Sequence, residues 1–256
     1  MSDFKTEIAD RTRDMRADAA LQQASLDFLR SSAKAKYSYN FHWMDRPIIQ
    51  YPQDIVAMQE LIYEVKPDLI VETGIAHGGS LVFSASVLAM LDMVEAIEAG
   101  ESFDPMVSKR KVLGIDIDIR DHNRAAIDAH PMRSRIEMIQ GSSVDTDIIK
   151  QVYDFAADYK KILICLDSNH THDHVLEELR AYAPLTSVGS YCVVFDTLIE
   201  EMEEGTYADR PWGKGNNPYT AIQAYLESES NFEIDTQIQD RLLITVAQNG
   251  FLRRTA

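Results

Sequence analysis

Val71-Glu72-Thr73-Gly74-Ile75-Ala76-His77-Gly78-Gly79-Ser80 decides the fold of this chain. The apolar run Leu69-Ile70-Val71 leads into it, and an apolar-rich segment, 81–94, leaves it. That succession reads as a buried strand, a glycine turn and a helix. The glycines let the backbone turn sharply and let a ligand approach the chain closely. Gly78, Gly79 and Ser80 open the helix, where unpaired N–H groups favour a carboxylate or phosphate. The Gly-Lys-Ser/Thr ending of a Walker loop is absent. G-x-x-x-G-G also differs from the dinucleotide fingerprint G-x-G-x-x-G.

Outward from this turn the pattern repeats. Strands read at 69–72, 112–116, 135–140, 162–166 and 191–195, with helical patterns at 80–97, 121–129, 145–157 and 172–183 between them. Short apolar strands alternating with helices predict a doubly wound α/β fold, its mostly parallel sheet covered on both faces. An acidic, glycine-containing insert follows at 200–217, then a helix at 218–226 and two last strands near 232–234 and 242–246. Upstream, 54–65 reads as a helix, with Ile55, Met58, Leu61 and Ile62 at helical spacing. Residues 1–35 are charged and helix-favouring, which predicts one or two helices outside the main core. Tyr37-Ser38-Tyr39-Asn40-Phe41-His42-Trp43 is aromatic and irregular, suited to lying over a pocket or packing on the core. The expected division is an N-terminal helical extension with an aromatic cap, 1–50, and a main domain, 51–256.

Composition narrows the partners. Hydrophobic residues make up 45% and charged residues 26%, ordinary for a globular domain. A formal net charge of −16 argues against a nucleic-acid groove or an anionic membrane surface. The charged start carries no signal peptide, and 81–94 is too short and too interrupted by polar residues to span a bilayer. Cys165 and Cys192 fall inside apolar runs, which predicts buried free thiols and a cytoplasmic location. An acidic chain with a helical extension is expected to form a homo-oligomer.

Ligands of an open parallel sheet bind beyond the carboxyl ends of its strands. Gly114-Ile115-Asp116 ends the second strand, where an acid can take the hydroxyls of a ribose. Gln140-Gly141-Ser142-Ser143 ends the third, with small hydroxyls able to flank a base or to cap the next helix. Asp167 and Asp196 end the fourth and fifth. Neighbouring strands lie about 4.8 Å apart, so these carboxylates repel unless a cation joins them, and an oxygen-seeking Mg²⁺ suits the pair, with Thr197 completing the shell. His170, His172 and His174 open a helix, where alternate side chains diverge by about 200°, so they do not gather on one ion. His170, nearest the strand end, is the candidate base for a substrate hydroxyl. The loop at 210–218, with Trp212 among glycines and prolines, reads as a lid over the same edge or as a surface connection between subunits.

Glu72-Thr73-Gly74 to Gly79-Ser80, Gly114-Ile115-Asp116, Gly141-Ser142-Ser143, Leu166-Asp167-Ser168-Asn169-His170, Val194-Phe195-Asp196-Thr197 and Gly250-Phe251-Leu252-Arg253-Arg254 together resemble the family named for cephalosporin hydroxylase and rhamnosyl O-methyltransferases. The resemblance covers the chain from about Tyr37 to Arg254. It implies a seven-stranded, Rossmann-like class I methyltransferase sheet, S-adenosylmethionine as cofactor and often a divalent metal. The acceptor implied is a sugar hydroxyl or related small molecule in lipid, polysaccharide or secondary-metabolite pathways. The chain is similar, more distantly, to catechol-type O-methyltransferases. By that likeness Glu72, Gly74 and Ser80 fall on the cofactor, with Ser80 at its carboxylate and Asp116 at its ribose, and Gly78, Gly79, Ser142, Ser143 and Asp167 join them as cofactor candidates from their places at the strand ends. Asp167 and Asp196 fall on metal-ligand positions and His170 where the catechol type has its basic lysine, which makes Asp167 and His170 the catalytic candidates. One departure stands out: the antibiotic-pathway relative has Glu-Asp at the end of strand five, where this chain has Phe195-Asp196. Thr197 or an acid of the run 200–204 would then complete the metal shell. Two rivals are a non-haem iron hydroxylase and a non-catalytic cofactor-binding subunit.

Overall fold

The structure, a computed structural model, describes residues 2–256. Helices α1 (Ser2–Ala17) and α2 (Ala19–Lys34) come first, split at Asp18, whose carboxylate accepts from the N–H groups of Ala20 and Leu21. A 3₁₀ turn, Tyr37–Asn40, leads into a hairpin of β1 (Phe41–Trp43) and β2 (Arg46–Ile48). Its turn residues Met44 and Asp45 both have positive φ, the twist that two-residue hairpin loops require. Helix α3 (Pro52–Val65) follows.

The alternating unit then begins: β3 (Leu69–Thr73), α4 (Gly79–Ala99), β4 (Lys111–Asp116), α5 (Asp121–Asp128), β5 (Ile136–Gln140), α6 (Thr146–Ala156), β6 (Ile162–Leu166), α7 (His172–Tyr182) and β7 (Tyr191–Val194). It closes with α8 (Pro218–Ser228), β8 (Phe232–Ile234), α9 (Thr236–Leu242) and β9 (Phe251–Arg254). The seven strands lie in the order β5-β4-β3-β6-β7-β9-β8, parallel except for β9, which runs antiparallel to both neighbours. The order reverses between β3 and β6, so the carboxyl ends of these strands flank the crevice where such sheets bind ligands.

Alternate side chains of each strand feed two cores. Ile70, Val112, Leu163 and Val193 pack with α3 and α4 on one face, and Val71, Leu113, Ile164 and Val194 pack with α6, α7 and α8 on the other. A third, smaller core joins Leu29 of α2 to Tyr51, Leu198 and Met202, which ties the N-terminal helices to the segment after β7. Helix α4 has 21 residues and is long and apolar enough to cross a membrane by length and composition, unlike the shorter stretch expected from sequence. Half of its apolar window is buried against the sheet and the hairpin.

One strand expectation fails. Residues 242–246 form no strand, because α9 runs to Leu242 under an Asp235 cap and Leu243 then takes a φ of +60°. The last strand is Phe251–Arg254, reached through Gly250, where a Cβ would lie 2.1 Å from the carbonyl oxygen of Val194. Cys165 and Cys192 are free and buried, as expected, and burial holds both thiols above their ordinary range.

Candidate active site

The glycine turn is fixed from three sides. Gly74 has a φ of +89°, and a Cβ there would sit 2.1 Å from the carbonyl oxygen of Asp167, so the β3 and β6 ends can meet only through a glycine. Gly78 caps α4 in the left-handed region, and the carbonyl of Pro47 in β2 presses against Gly79, leaving no room for a side chain. Arg46 donates to the carbonyl of His77 and to Asn123 Oδ1, while Asn123 Nδ2 donates to the Ala76 carbonyl at 2.9 Å. Neither Arg46 nor Asn123 was legible as part of this loop, because their partners lie far off in sequence.

Glu72 is 4% exposed, and burial pushes its carboxyl up to about 7, although the Ser80 hydroxyl that donates to it works the other way. That donation commits the only proton of Ser80. A ligand carboxylate at this helix start would therefore meet backbone N–H groups rather than the hydroxyl expected from the resemblance. Asp116 is also engaged: Oδ2 accepts from the N–H of Ile75 at 2.8 Å and of Ala76 at 3.1 Å, and Oδ1 from that of Asp118 at 3.0 Å. Oδ2 spends both lone pairs on these N–H groups and Oδ1 keeps one, so Asp116 can brace the glycine turn and still accept from a ribose hydroxyl.

Ser142 and Ser143 line a cavity of about 200 Å³ with Gly74, Asp116, Ser168 and His174. Ser143 is 5% exposed and donates to Glu178 Oε1 at 2.6 Å, as does Ser168 at 2.6 Å, with His174 Nε2 within 3.2 Å of both hydroxyls. Glu178 is fully buried on the inner face of α7. Its signal in the sequence was an acid inside the apolar stripe Val175, Leu179, Tyr182, and that signal went unread.

At the other strand ends, one carboxylate oxygen each of Asp167 and Asp196 and one ring nitrogen of His170 lie within 4.8 Å of one another. His170 Nε2 is 3.0 Å from Asp196 Oδ2. Asp196 sits at a φ of +56°, just past β7. Burial, and then the charge of Asp196, hold the Asp167 carboxyl well above the usual carboxylate range. Among the described residues no lysine or arginine forms an ion pair with either acid. Two carboxylates at this spacing, with no lysine or arginine partner among the described residues, fit a divalent cation, and the imidazole stands beside them.

Thr197 does not join this cluster. It is 2% exposed, and its hydroxyl donates to the Val246 carbonyl at 3.1 Å. Glu200 does not join it either: its Oε2 accepts from the Gly215 N–H at 2.8 Å and from Asn217 Nδ2 at 2.6 Å, holding the loop that follows. Phe195 is buried. His170 is thus the third member, from a residue expected only as a base. As expected, His172 and His174 diverge: His172 Nδ1 lies 2.9 Å from Thr220 Oγ1, and His174 faces Ser143.

The loop at 210–218 lies over this cluster. The Trp212 ring meets His170 edge-on at 4.8 Å, and the Arg210 guanidinium stacks on Trp212 at 5.4 Å. Behind it opens a cavity of about 380 Å³, walled by Tyr39, Tyr51, Tyr207 and Trp212 and floored by Asp167, His170 and Asp196. A third space, about 210 Å³, lies between, sharing Gly74 and Ser168 with the serine side and the Asp167 cluster with the aromatic side. The three spaces make one cleft, with the carboxylates at its middle.

A family profile described as Rhamnosyl O-methyltransferase/CmcI matches residues 35–255. This chain belongs to that family. It is with that an S-adenosylmethionine-dependent O-methyltransferase. The chain is 32% identical over 204 residues to a rhamnosyl O-methyltransferase of Mycobacterium bovis, covering 78% of this chain and 73% of that protein. The corresponding protein of Mycobacterium leprae is 31% identical over 214 residues, covering 83% and 82%. Among solved structures, the fold resembles a CmcI apo-structure with a TM-score of 0.55 at 20% identity, covering 85% of this chain and 77% of that one. It also resembles a CmcI structure described as Mg-SAM, with a TM-score of 0.52 at 18% identity, covering 85% and 78%.

Proposed function

We propose that this family member methylates a hydroxyl of a sugar or related small molecule, with a divalent cation, Mg²⁺ by its oxygen-rich donor set, held by Asp167 and Asp196. The observation that carries this reading is the cleft's middle: the carboxylate cluster opens on the glycine-floored side and on the aromatic cavity at once. The glycine turn, Asp116, Ser142 and Ser143 border the side suited to S-adenosylmethionine, and the aromatic cavity is the acceptor's. The segment before residue 51 serves both sides: Tyr39 lines the acceptor cavity, and Arg46 and Pro47 hold the glycine turn. The mycobacterial relatives are named for rhamnosyl acceptors, which favours a glycosyl substrate.

An alcohol is a weak nucleophile because it keeps its proton, and a bound cation eases that loss when present. The chain's own residues do the rest. With Nε2–H of His170 donating to Asp196, Nδ1 is the free basic nitrogen and takes the acceptor's proton. Trp212 and Tyr39 wall the acceptor and exclude water, while the glycine turn fixes the donor side. Positioning of the two substrates supplies much of the rate.

The donor set does not favour the iron hydroxylase alternative. That chemistry uses two histidines and one carboxylate, whereas one histidine and two carboxylates gather here. The test is transfer of label from methyl-labelled S-adenosylmethionine to glycosyl acceptors, with and without chelator. In His170→Ala, turnover is expected to fall about 100-fold or more while S-adenosylhomocysteine and Mg²⁺ affinities stay within a few-fold. A matching loss of Mg²⁺ affinity would make His170 a ligand instead of the base.

A further inference from the structure

The lining of the acceptor cavity carries positive charge that the methyl transfer itself does not need. Lys36 and Arg210 both line it. Lys36 stands at a φ of +53°, a conformation disfavoured for a lysine, where it starts the turn that presents Tyr39. Among the described residues its ammonium makes no ion pair, whereas the neighbouring Lys34 is matched by Glu203 at 2.9 Å. Arg210 is stacked on Trp212, the ring that meets His170. Its one acidic neighbour, Asp209, is 3.9 Å away and largely in solvent.

The loop that bears Arg210 is braced. Besides the two bonds to Glu200, Asn216 Oδ1 accepts from the His172 N–H at 2.9 Å, Asn216 Nδ2 donates to the Pro211 carbonyl at 2.8 Å, and Asn217 Nδ2 donates to the Gly213 carbonyl at 2.9 Å. Arg210 is itself half exposed, and its stacking on an aromatic face of a pinned loop is what holds it at the cavity.

Charge sign sets this end of the cleft apart. The chain has a formal net charge of −16. Once a divalent cation balances Asp167 and Asp196, the unmatched charges lining the aromatic cavity are Lys36 and Arg210, against the exposed Asp209. A positive recess in an acidic protein concentrates anions. Aromatic walls accept the apolar face of a sugar ring, and a guanidinium or ammonium beyond them takes a phosphate or carboxylate.

Resting on the methyl-transfer reading, we propose that the acceptor is an anionic glycosyl compound, its phosphate or carboxylate held by Lys36 and Arg210 while the ring hydroxyl faces His170. This separates the chain's acceptor from a neutral rhamnosyl group.

The test has a binding arm and a turnover arm. Calorimetry on the full chain loaded with Mg²⁺ and S-adenosylhomocysteine compares a neutral methyl hexoside, the hexose 6-phosphate, the hexuronic acid and a nucleoside-diphosphate hexose. At least one charged probe is expected to bind ten-fold or more tighter than the neutral hexoside, and which one does tells phosphate from carboxylate. That advantage is expected to shrink several-fold between low salt and 0.5 M KCl. It is also expected to fall toward parity in Lys36→Asn/Arg210→Gln, where Asn suits the left-handed backbone. Equal affinity for charged and neutral probes, no detectable binding of any charged probe, or a preference untouched by both salt and the double variant overturns the proposal. Label transfer on the same probes is scored separately. Charged-probe preference without any transfer sinks the methyl-transfer reading and leaves the anion site standing.

Discussion

The two halves of the cleft are built differently. On the cofactor side the wall is the sheet itself: β3, β4 and β5 end side by side, and each contributes the residues immediately after its last rung. On the acceptor side the wall is gathered from Tyr39, Tyr51, Tyr207 and Trp212, which come from the turn before the hairpin, the start of α3 and the loop after β7. The first half is held rigid mainly by its strand ends, with Arg46 and Asn123 bracing the glycine turn across the fold. The second depends on tertiary bracing, chiefly Glu200 on the loop and Asp54 of α3 on the segment ending at Val246. A constant donor site beside a variable acceptor site is what a transferase scaffold needs: strand ends fix the chemistry, and loops choose what receives it.

Four experiments break or sharpen this contrast. The largest effect is expected at the junction. Asp196→Asn, which tolerates the left-handed backbone, should lose about 100- to 1000-fold in turnover through weakened cation binding, since each tenfold is about 1.4 kcal/mol of barrier. Its S-adenosylhomocysteine affinity, measured by calorimetry, should stay within a few-fold. Loss of both would make the junction part of the cofactor wall.

Next come two glycines, one per half. Gly74→Ala puts a Cβ 2.1 Å from the Asp167 carbonyl oxygen at a φ of +89°, and should cost about 2–4 kcal/mol of unfolding free energy. Gly213→Ala in the loop meets nothing within 4 Å and should change stability by less than about 0.5 kcal/mol. Similar denaturation midpoints for the two variants would erase the distinction between the rigid and the braced half.

The third concerns Asp54, which is fully buried, accepts from the Thr245 hydroxyl and the Val246 N–H, and has its carboxyl pushed up to about 7 chiefly by burial. A carboxyl raised in the folded state contributes stability that is complete below its ordinary value near 4 and is lost as pH rises to about 7. Wild-type stability should therefore fall between pH 4 and 7, with this group adding up to about 1.4 kcal/mol per pH unit. Asp54→Asn, which cannot ionise, should flatten that slope in urea titrations at stepped pH. An unchanged slope would remove Asp54 as its source. Glu72 titrates in the same window, and it and Asp167, also raised by burial, contribute to the remainder.

The smallest effect is expected from Glu200→Ala. It releases two hydrogen bonds on the loop and should weaken acceptor binding by about five- to thirty-fold, 1–2 kcal/mol, with cofactor affinity unchanged. A change in cofactor affinity alone would assign the loop to the other half.

The same contrast explains what could be seen in the sequence. Strand ends carry their candidate site residues within a few positions of an apolar run, so Glu72, Gly74, Asp116, Asp167 and Asp196 stood out at once. The parallel sheet followed from the same runs. Residues that act across the fold did not stand out. Glu178 reaches Ser143 and Ser168 only because α7 packs over two strand ends, and Arg46 reaches Asn123 through the hairpin. The apolar run 242–246 misled for a related reason. Its β-branched residues suit a strand, but Leu242 completes a capped helix and Val246 bonds to Thr197 and Leu198 instead of to a ladder. The true last strand ends in Arg253 and Arg254, whose charge hides it from hydropathy.

The placement of the two tryptophans gives the molecule a built-in optical gauge. Trp43 is locked between Phe83 and Ser86, away from the cleft, and its emission should stay constant. Trp212 borders both the serine-lined recess and the aromatic one. One indole therefore registers arrivals from either direction, and intrinsic fluorescence of the unlabelled enzyme can follow, in a single cuvette, which substrate lands first.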